Sequence, residues 1–273
     1  MQPALFEDDR IRQLGQATIG YRRSASILNR GVGNLKGVDF TLNPYVGCQF
    51  GCSYCYAAFF QPDPERVASW GQWVEAKENA ATLVRRAGDR LAGKRIVIGS
   101  ATDPYQPLEA KFRLTRSVLE ELLNLRPTPD VVLFTRSPLV VADVDVLSRF
   151  PNARVQMTVT TDDDAVRKAF EPGCPSIGRR VEAIVKLAEA GIRVTASVAP
   201  ILPIRDVATF VRTLATAGAK RTWASPFHDS DRPFAAGTGK AAREIALEMG
   251  WTKERAEAAA VEVRREASLI GLA

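Results

Sequence analysis

From about residue 36 onward, six short β-rich runs alternate with longer segments of helical period, and this repetition constrains the fold more than any other feature. The runs are Val38–Tyr45, Arg95–Ala101, Val131–Arg136, Arg154–Thr160, Ile192–Ala199 and Arg221–Ser225. Such alternation builds βα units around a parallel sheet, because parallel strands need a long crossover and a helix supplies it. One unit shows the pattern closely. Val181, Ile184, Val185 and Ala188 recur at i, i+3, i+4 and i+7 on a helix that should stop at Gly191. In the run that follows, Ile192, Val194, Ala196 and Val198 point one way while Arg193, Thr195 and Ser197 point the other. One polar face on a parallel strand suits a barrel lumen better than a flat sheet buried on both sides. The expected fold class is therefore α/β, a partial TIM-like barrel of six βα units.

The same periodicity predicts helices over Gln72–Leu91, Thr115–Leu125, Val140–Phe150, Val207–Ala217 and Lys240–Glu248, and a last, Ala- and charge-rich one over Thr252–Leu269. Residues 1–35 carry the basic, Gly-containing cluster YRRSASILNRGVGN and read as an irregular arm. Residues 36–230 are expected to form the barrel core, and 231–273 a helical extension packed on the same domain. No Pro- or Ser-rich linker interrupts the 273 residues, which favours one domain over two.

With 46% hydrophobic and 25% charged residues, disorder and collagen are excluded, and four cysteines are too few for a stapled secreted scaffold. The 37 Lys+Arg against 31 Asp+Glu leave a net charge of +6, which fits a nucleic acid or a phosphorylated small molecule as partner but requires neither. The chain has no uncharged apolar run of the roughly eighteen residues that a membrane span needs. The N-terminal MQPALFEDDRIRQ has acids where a signal peptide would be basic. The expected location is cytoplasmic and reducing, where clustered thiols hold metal or do redox chemistry more often than they pair.

Three of the cysteines are clustered. In NPYVGCQFGCSYCYA, Cys48, Cys52 and Cys55 stand in C-x3-C-x2-C spacing directly after the first β-rich run, at the mouth where barrels of this class build their sites. Gly47 and Gly51 let the backbone curl so that three thiolates can converge. Zinc competes for such a set, but a closed zinc site takes four ligands, and the nearest later candidates, Cys174 and His228, are far off in sequence. Haem attachment needs His straight after a C-x-x-C pair, and Cys55 is followed by Tyr56. Three close thiolates without an obvious fourth suit a [4Fe–4S] cluster with one iron left open.

The spacing, with Tyr54 in an aromatic slot before the last cysteine, resembles the radical S-adenosylmethionine (radical SAM) enzymes. The resemblance implies a cluster whose open iron is chelated by SAM, reductive cleavage of the sulfonium, and hydrogen abstraction by a 5′-deoxyadenosyl radical. It also implies an electron donor such as flavodoxin or ferredoxin. From about Asn43 to Pro203 the chain looks like the spore photoproduct lyase branch, chiefly through FEPGCPSIGRRVEAIVKLAEAGIRVTASVAPILP and the tyrosines around Cys55.

Carried over by position, Tyr54 and Tyr56 match tyrosines that stack near SAM and help relay a hydrogen atom. Arg136 stands where the branch has a lysine for the SAM carboxylate, and a guanidinium fork suits that role. Ser137 adjoins it, Thr158 aligns with a serine that contacts SAM, Thr160 follows on the same strand, and Thr102 and Asp103 fall where the SAM ammonium is held. Ser100 or Ala101 occupies the place of the lyase's hydrogen-donating cysteine, so a different reaction is expected; Cys174 is the one cysteine left that could replace that donor. Pyrimidine photoproduct repair stays as the alternative reaction, and a non-catalytic iron–sulfur or zinc binding module as the alternative from another class. Blander accounts stand beside these. Asp103-Pro104 suits a turn, the threonines suit strands, His228 suits a loop hydrogen bond, Glu171 suits a loop anchor paired with Arg179 or Arg180, and Arg22, Arg23 and Arg30 suit either a solvated arm or phosphate contacts.

Overall fold

The computed structural model describes residues 10–35, 37–228 and 237–272; the acidic stretch before Arg10 and residues 229–236 after His228 lie outside the described residues. Strands are numbered in chain order as β1 (Gln13–Leu14), β2 (Ala17–Arg22), β3 (Leu28–Arg30), β4 (Phe40–Leu42), β5 (Tyr45–Gly47), β6 (Trp73–Lys77), β7 (Arg95–Ile98), β8 (Asp130–Thr135), β9 (Arg154–Thr158), β10 (Arg193–Val198) and β11 (Arg221–Ala224). The helices are α1 (Pro64–Ala68), α2 (Ala80–Ala87), α3 (Glu109–Phe112), α4 (Leu114–Leu123), α5 (Val144–Leu147), α6 (Asp164–Phe170), α7 (Ile177–Glu189), α8 (Val207–Thr216), α9 (Lys240–Glu248) and α10 (Lys253–Leu269).

Each of the six β-rich runs supplies one parallel strand of a seven-stranded sheet ordered β11-β10-β9-β8-β7-β4-β3, in which β3 alone runs antiparallel. The sheet ends at β11 and β3 without closing, so the barrel is partial as expected. Alternation decides which face is which. Val131, Leu133, Val155, Met157, Val194, Ala196 and Val198 are buried in the core shared with the helices, while Val132, Gln156 and Thr195 face the other way and stay partly exposed. Each fully buried aliphatic side chain on the helix-covered face contributes roughly 1.5–3 kcal/mol relative to exposure. As predicted, α7 stops short of Gly191, which adopts φ +76°. Among the described residues no helix is long and apolar enough to cross a membrane.

Several sequence expectations need correction. The arm is not irregular: β1 and β2 join β6 and β5 in a second, four-stranded sheet, with Ala17 and Ile19 buried, and β3 extends the main sheet beside β4. Its strands are short, and the partner that holds β2 in the sheet lies over fifty residues away, so no local window reveals it. The helix expected over Gln72–Leu91 begins only at Ala80, because Val74 and Ala76 alternate inward on β6. The first run divides into β4 and β5 at Asn43-Pro44, where proline has no N–H to donate to a ladder. The segment expected as a helix over Val140–Phe150 is a 3-10 stretch, Pro138–Asp143, followed by the single turn α5. There Asp143 turns inward to accept from Tyr105 and Arg116 at 3.1 Å each. Beyond these corrections, Asp163 caps α6 by accepting from the Ala165 N–H at 2.7 Å.

Gly47, the last residue of β5, has φ +79°, and a Cβ there would meet the Trp73 carbonyl oxygen at 2.6 Å. Gly47→Ala combines left-handed strain with a clash against backbone and is expected to cost about 2–4 kcal/mol. A fall in the urea midpoint at constant slope would read this; an unchanged midpoint would show that the turn relaxes freely.

Candidate active site

The cysteine loop leaves β5 through Gly47 and turns again at Gly51, which has φ +55°. Cys48 and Cys52 are buried and Cys55 is half-buried. The Gly51 N–H donates to the Cys48 carbonyl at 3.3 Å, the Cys55 N–H to the Cys52 carbonyl at 3.0 Å and the Ala58 N–H to the Cys55 carbonyl at 3.3 Å, so each of the three cysteines opens a tight turn. The loop is clamped from the end of β7. The Gln49 N–H donates to Gln106 Oε1 at 2.9 Å, Gln106 Nε2 donates to Thr102 Oγ1 at 3.1 Å, and the Thr102 hydroxyl donates to the Gly47 carbonyl. On the other side Gly173 comes so close that a Cβ would stand 2.8 Å from the Gln49 carbonyl oxygen and 2.9 Å from that of Phe50. The glycine of the EPG stretch is thus a packing requirement against the cysteine loop.

Over this loop lies a buried charged network. Glu171 is fully buried and receives four hydrogen bonds: Tyr54 Oη, Thr160 Oγ1 at 2.7 Å and Arg136 Nη1 at 3.1 Å reach Oε1, and Arg180 Nη2 reaches Oε2. Arg180, itself fully buried, also donates to the carbonyls of Thr158 at 3.2 Å and Pro175 at 3.0 Å. Arg136 Nη1 further touches Tyr54 Oη at 2.6 Å and Cys52 Sγ at 3.1 Å. Burial alone would raise the Glu171 carboxyl, but the guanidinium groups of Arg180 and then Arg136 outweigh it and hold the group down at about 2. The Cys52 thiol is lowered chiefly by its contact with Cys174, whose Sγ is 3.5 Å away, and by Arg136, against burial. Burial pushes Cys55 up to about 11 and Cys48 well above an ordinary thiol.

This donor set fits an iron–sulfur group. Three thiols share one loop closely enough that Cys52 raises both Cys48 and Cys55, and burial opposes the ionisation of those two unless a cationic centre draws the protons off. Among the described residues no three His, Cys, Asp or Glu side chains are drawn together tightly enough to hold a single metal ion. The fit rests on the shared loop and on the thiols' mutual electrostatics.

The other expected site residues divide into two groups. Tyr54, Arg136, Thr160 and Cys174 converge on Cys52 and Glu171, and Thr158 joins through its carbonyl. Tyr56 lies beside them, its hydroxyl donating to the Ser100 carbonyl, its ring 5.5 Å from that of His228. Ser100 is held by Asn43 Nδ2 at 3.2 Å. Asp103 is occupied within the protein, accepting from Thr135 Oγ1 at 2.7 Å, the Arg136 N–H at 2.8 Å and the Tyr105 N–H at 2.9 Å. Thr102 serves the clamp, and Ser137 accepts from the Leu139 N–H at 3.3 Å at the head of the following 3-10 turn. Sequence reasoning placed Glu171 as a loop anchor paired with Arg179 or Arg180, and Arg180 is that partner; what it missed is that Tyr54, Thr160 and Arg136 converge on the same carboxylate. The signal was Arg180, which sits at i+3 from Ile177 and i−4 from Ile184 on the buried face of α7 and demands a partner there.

Comparison with known proteins supplies the family. The radical SAM superfamily model matches residues 42–217. The uncharacterized protein MJ0683 of Methanocaldococcus jannaschii is 34% identical over 169 residues, which cover 62% of this chain and 62% of that protein. The chain thus spans under two thirds of that relative's length. The uncharacterized protein ORF301 of Acidianus two-tailed virus is 28% identical over 221 residues, 74% of this chain and 71% of that one. Among solved structures, a spore photoproduct lyase point mutant superposes with a TM-score of 0.62 at 16% identity, over 92% of this chain and 78% of that chain, which shows a common fold. The superfamily match runs from the end of β4 through α8, across the cysteine loop, and the chain belongs to the radical SAM superfamily.

Proposed function

We propose that this chain is a radical SAM enzyme in which Cys48, Cys52 and Cys55 hold a [4Fe–4S] cluster with one open iron and SAM binds beside Arg136 and Tyr54. The observation that carries this is Arg136, whose Nη1 touches Cys52 Sγ and is held by Tyr54 and Glu171 beside the cysteine loop of a partial barrel. When bound, the cluster and SAM supply reductive sulfonium cleavage and a 5′-deoxyadenosyl radical that takes hydrogen from substrate.

The chain's own residues position and shield. The hydrogen bonds of the Arg136 side chain among the described residues all run through Nη1, which leaves Nη2 and Nε to receive the SAM carboxylate. Glu171 fixes that fork and the Tyr54 hydroxyl, and we assign the buried Thr158, Thr160 and Ser137 to the same SAM-binding end. Thr102 and Asp103 act by holding the cysteine loop and the Arg136 backbone, and Asp103 is the acid we assign to the SAM ammonium. Tyr56, bound at the Ser100 carbonyl, stands at the strand end where the lyase branch carries its donor, and we assign it the hydrogen relay. Cys174 lies against Cys52 and is a weaker candidate for that role. The proposed setting is the reducing cytoplasm, with a flavodoxin or ferredoxin as electron source.

Anaerobic reconstitution tests this directly. About four irons with matching sulfide per chain are expected, and dithionite with SAM should release 5′-deoxyadenosine. One zinc without sulfide, or no SAM cleavage product, would refute it.

A further inference from the structure

The concave face of the main sheet holds a cavity of about 260 Å³, lined by Val132, Arg154, Gln156, Thr195, Arg221 and Trp223, with Thr222 at its edge. These residues occupy successive layers. Arg154 lies at the foot of β9; Gln156 and Arg221 both pair with Thr195; Trp223 and Thr158 both pair with Ser197. From Arg154 to Thr158 the strand climbs about 13 Å toward the cysteine loop. Charge and solvation in this cavity are unbalanced. Arg154 Nε is buried with no hydrogen-bond partner, and no carboxylate lines the cavity. Neither the half-buried Arg154 nor the exposed Arg221 forms an ion pair among the described residues. A buried donor without an acceptor costs about 1–3 kcal/mol, which a bound oxyanion would recover. Trp223 is 41% exposed, a large apolar ring left uncovered at the upper edge of the same cavity.

We propose that this cavity binds a ligand in which an oxyanion, phosphate or carboxylate, is joined to a planar ring. The anion sits low between Arg154 and Arg221, and the ring lies on Trp223 at the level of Thr158. Paired guanidinium donors suit an oxyanion, and an exposed indole suits a ring face. That this ligand is the substrate, with its ring presented to the mouth, rests on the radical reading above; the binding itself does not.

Isothermal titration of the full chain, with and without reconstituted cluster, separates the two. The probes are phenyl phosphate, benzoate, benzyl alcohol and inorganic phosphate, none of which carries the adenine that would report a SAM site. At least one of the two aryl anions is expected to bind roughly tenfold or more tighter than benzyl alcohol and than inorganic phosphate, and the tighter one identifies the oxyanion. Arg154→Gln and Arg221→Gln should each remove about tenfold of that affinity, and Arg154→Lys should restore part of it. Trp223→Ala should weaken the aryl anion while leaving inorganic phosphate unchanged. The proposal is overturned if neither aryl anion outbinds benzyl alcohol, or if the paired arginine variant binds as the parent does. Binding that persists without cluster, beside failed SAM cleavage, would remove the radical reading and leave this site standing.

Discussion

Replacing Glu171 with alanine is expected to destabilise the fold by about 3–5 kcal/mol, because it strands Arg180 in a fully buried position without its counter-charge. The damage extends beyond one ion pair. Tyr54, Thr160 and Arg136 lose the same acceptor, and each was oriented by it. Glu171→Gln keeps the volume and an acceptor but removes the charge, so it separates packing from electrostatics. A pH series makes the distinction sharper. The folded carboxyl is held at about 2 against an ordinary 4.5, so its ionised form stabilises the native state. That contribution is complete above about pH 5 and is lost as pH falls from there toward 2, and it amounts to roughly 3 kcal/mol. Parent protein should therefore lose stability across this window, and Glu171→Gln should lose less while being weaker at neutral pH. Urea midpoints measured from pH 3 to pH 7 check both. Equal stability of parent and alanine variant at pH 7 would show that the network is not a structural support.

Why the hub escaped the sequence while the sheet did not follows from range. The parallel strands were legible because one face of each packs under helices, and Val194, Ala196 and Val198 write that burial into a period of two. Helix α7 was equally local, with Ser176 at its cap and Gly191 beyond its end. The strand β6 was not. Trp73, Val74, Ala76 and Ala80 fit a helical stripe as well as an alternating one, and only pairing with β2 and β5 decides between them. The site shows the same divide. Three cysteines within eight residues announce themselves, whereas Glu171 meets Arg136 across thirty-five residues and Tyr54 across more than a hundred. The partners of Asp103 were hidden for a related reason: its position at a strand end was readable, but two of the three donors that reach it come from the neighbouring strand end.

Cys52→Ala is expected to lose the iron–sulfur absorbance and all 5′-deoxyadenosine formation, whereas Cys174→Ala should keep both. The two sulfurs are 3.5 Å apart, yet their surroundings differ. Cys52 sits on the loop with Cys48 and Cys55, and Arg136 at 3.1 Å and the Cys174 contact lower its thiol, which favours the thiolate that a metal ligand must be. Burial pushes Cys174 well above an ordinary thiol, so it stays neutral and donates an S–H to its neighbour. A donor to a ligating sulfur stabilises the more negative, reduced state of a cluster, and its removal should move the midpoint potential downward while leaving the iron count unchanged. Spectroelectrochemical titration of Cys174→Ala beside parent reads the shift, and iron analysis reads the ligand set. Loss of iron from Cys174→Ala would make it a fourth ligand and close the open position that the proposed chemistry needs. Retained iron with an unmoved potential would instead reduce Cys174 to packing between Cys52 and the Phe50 carbonyl.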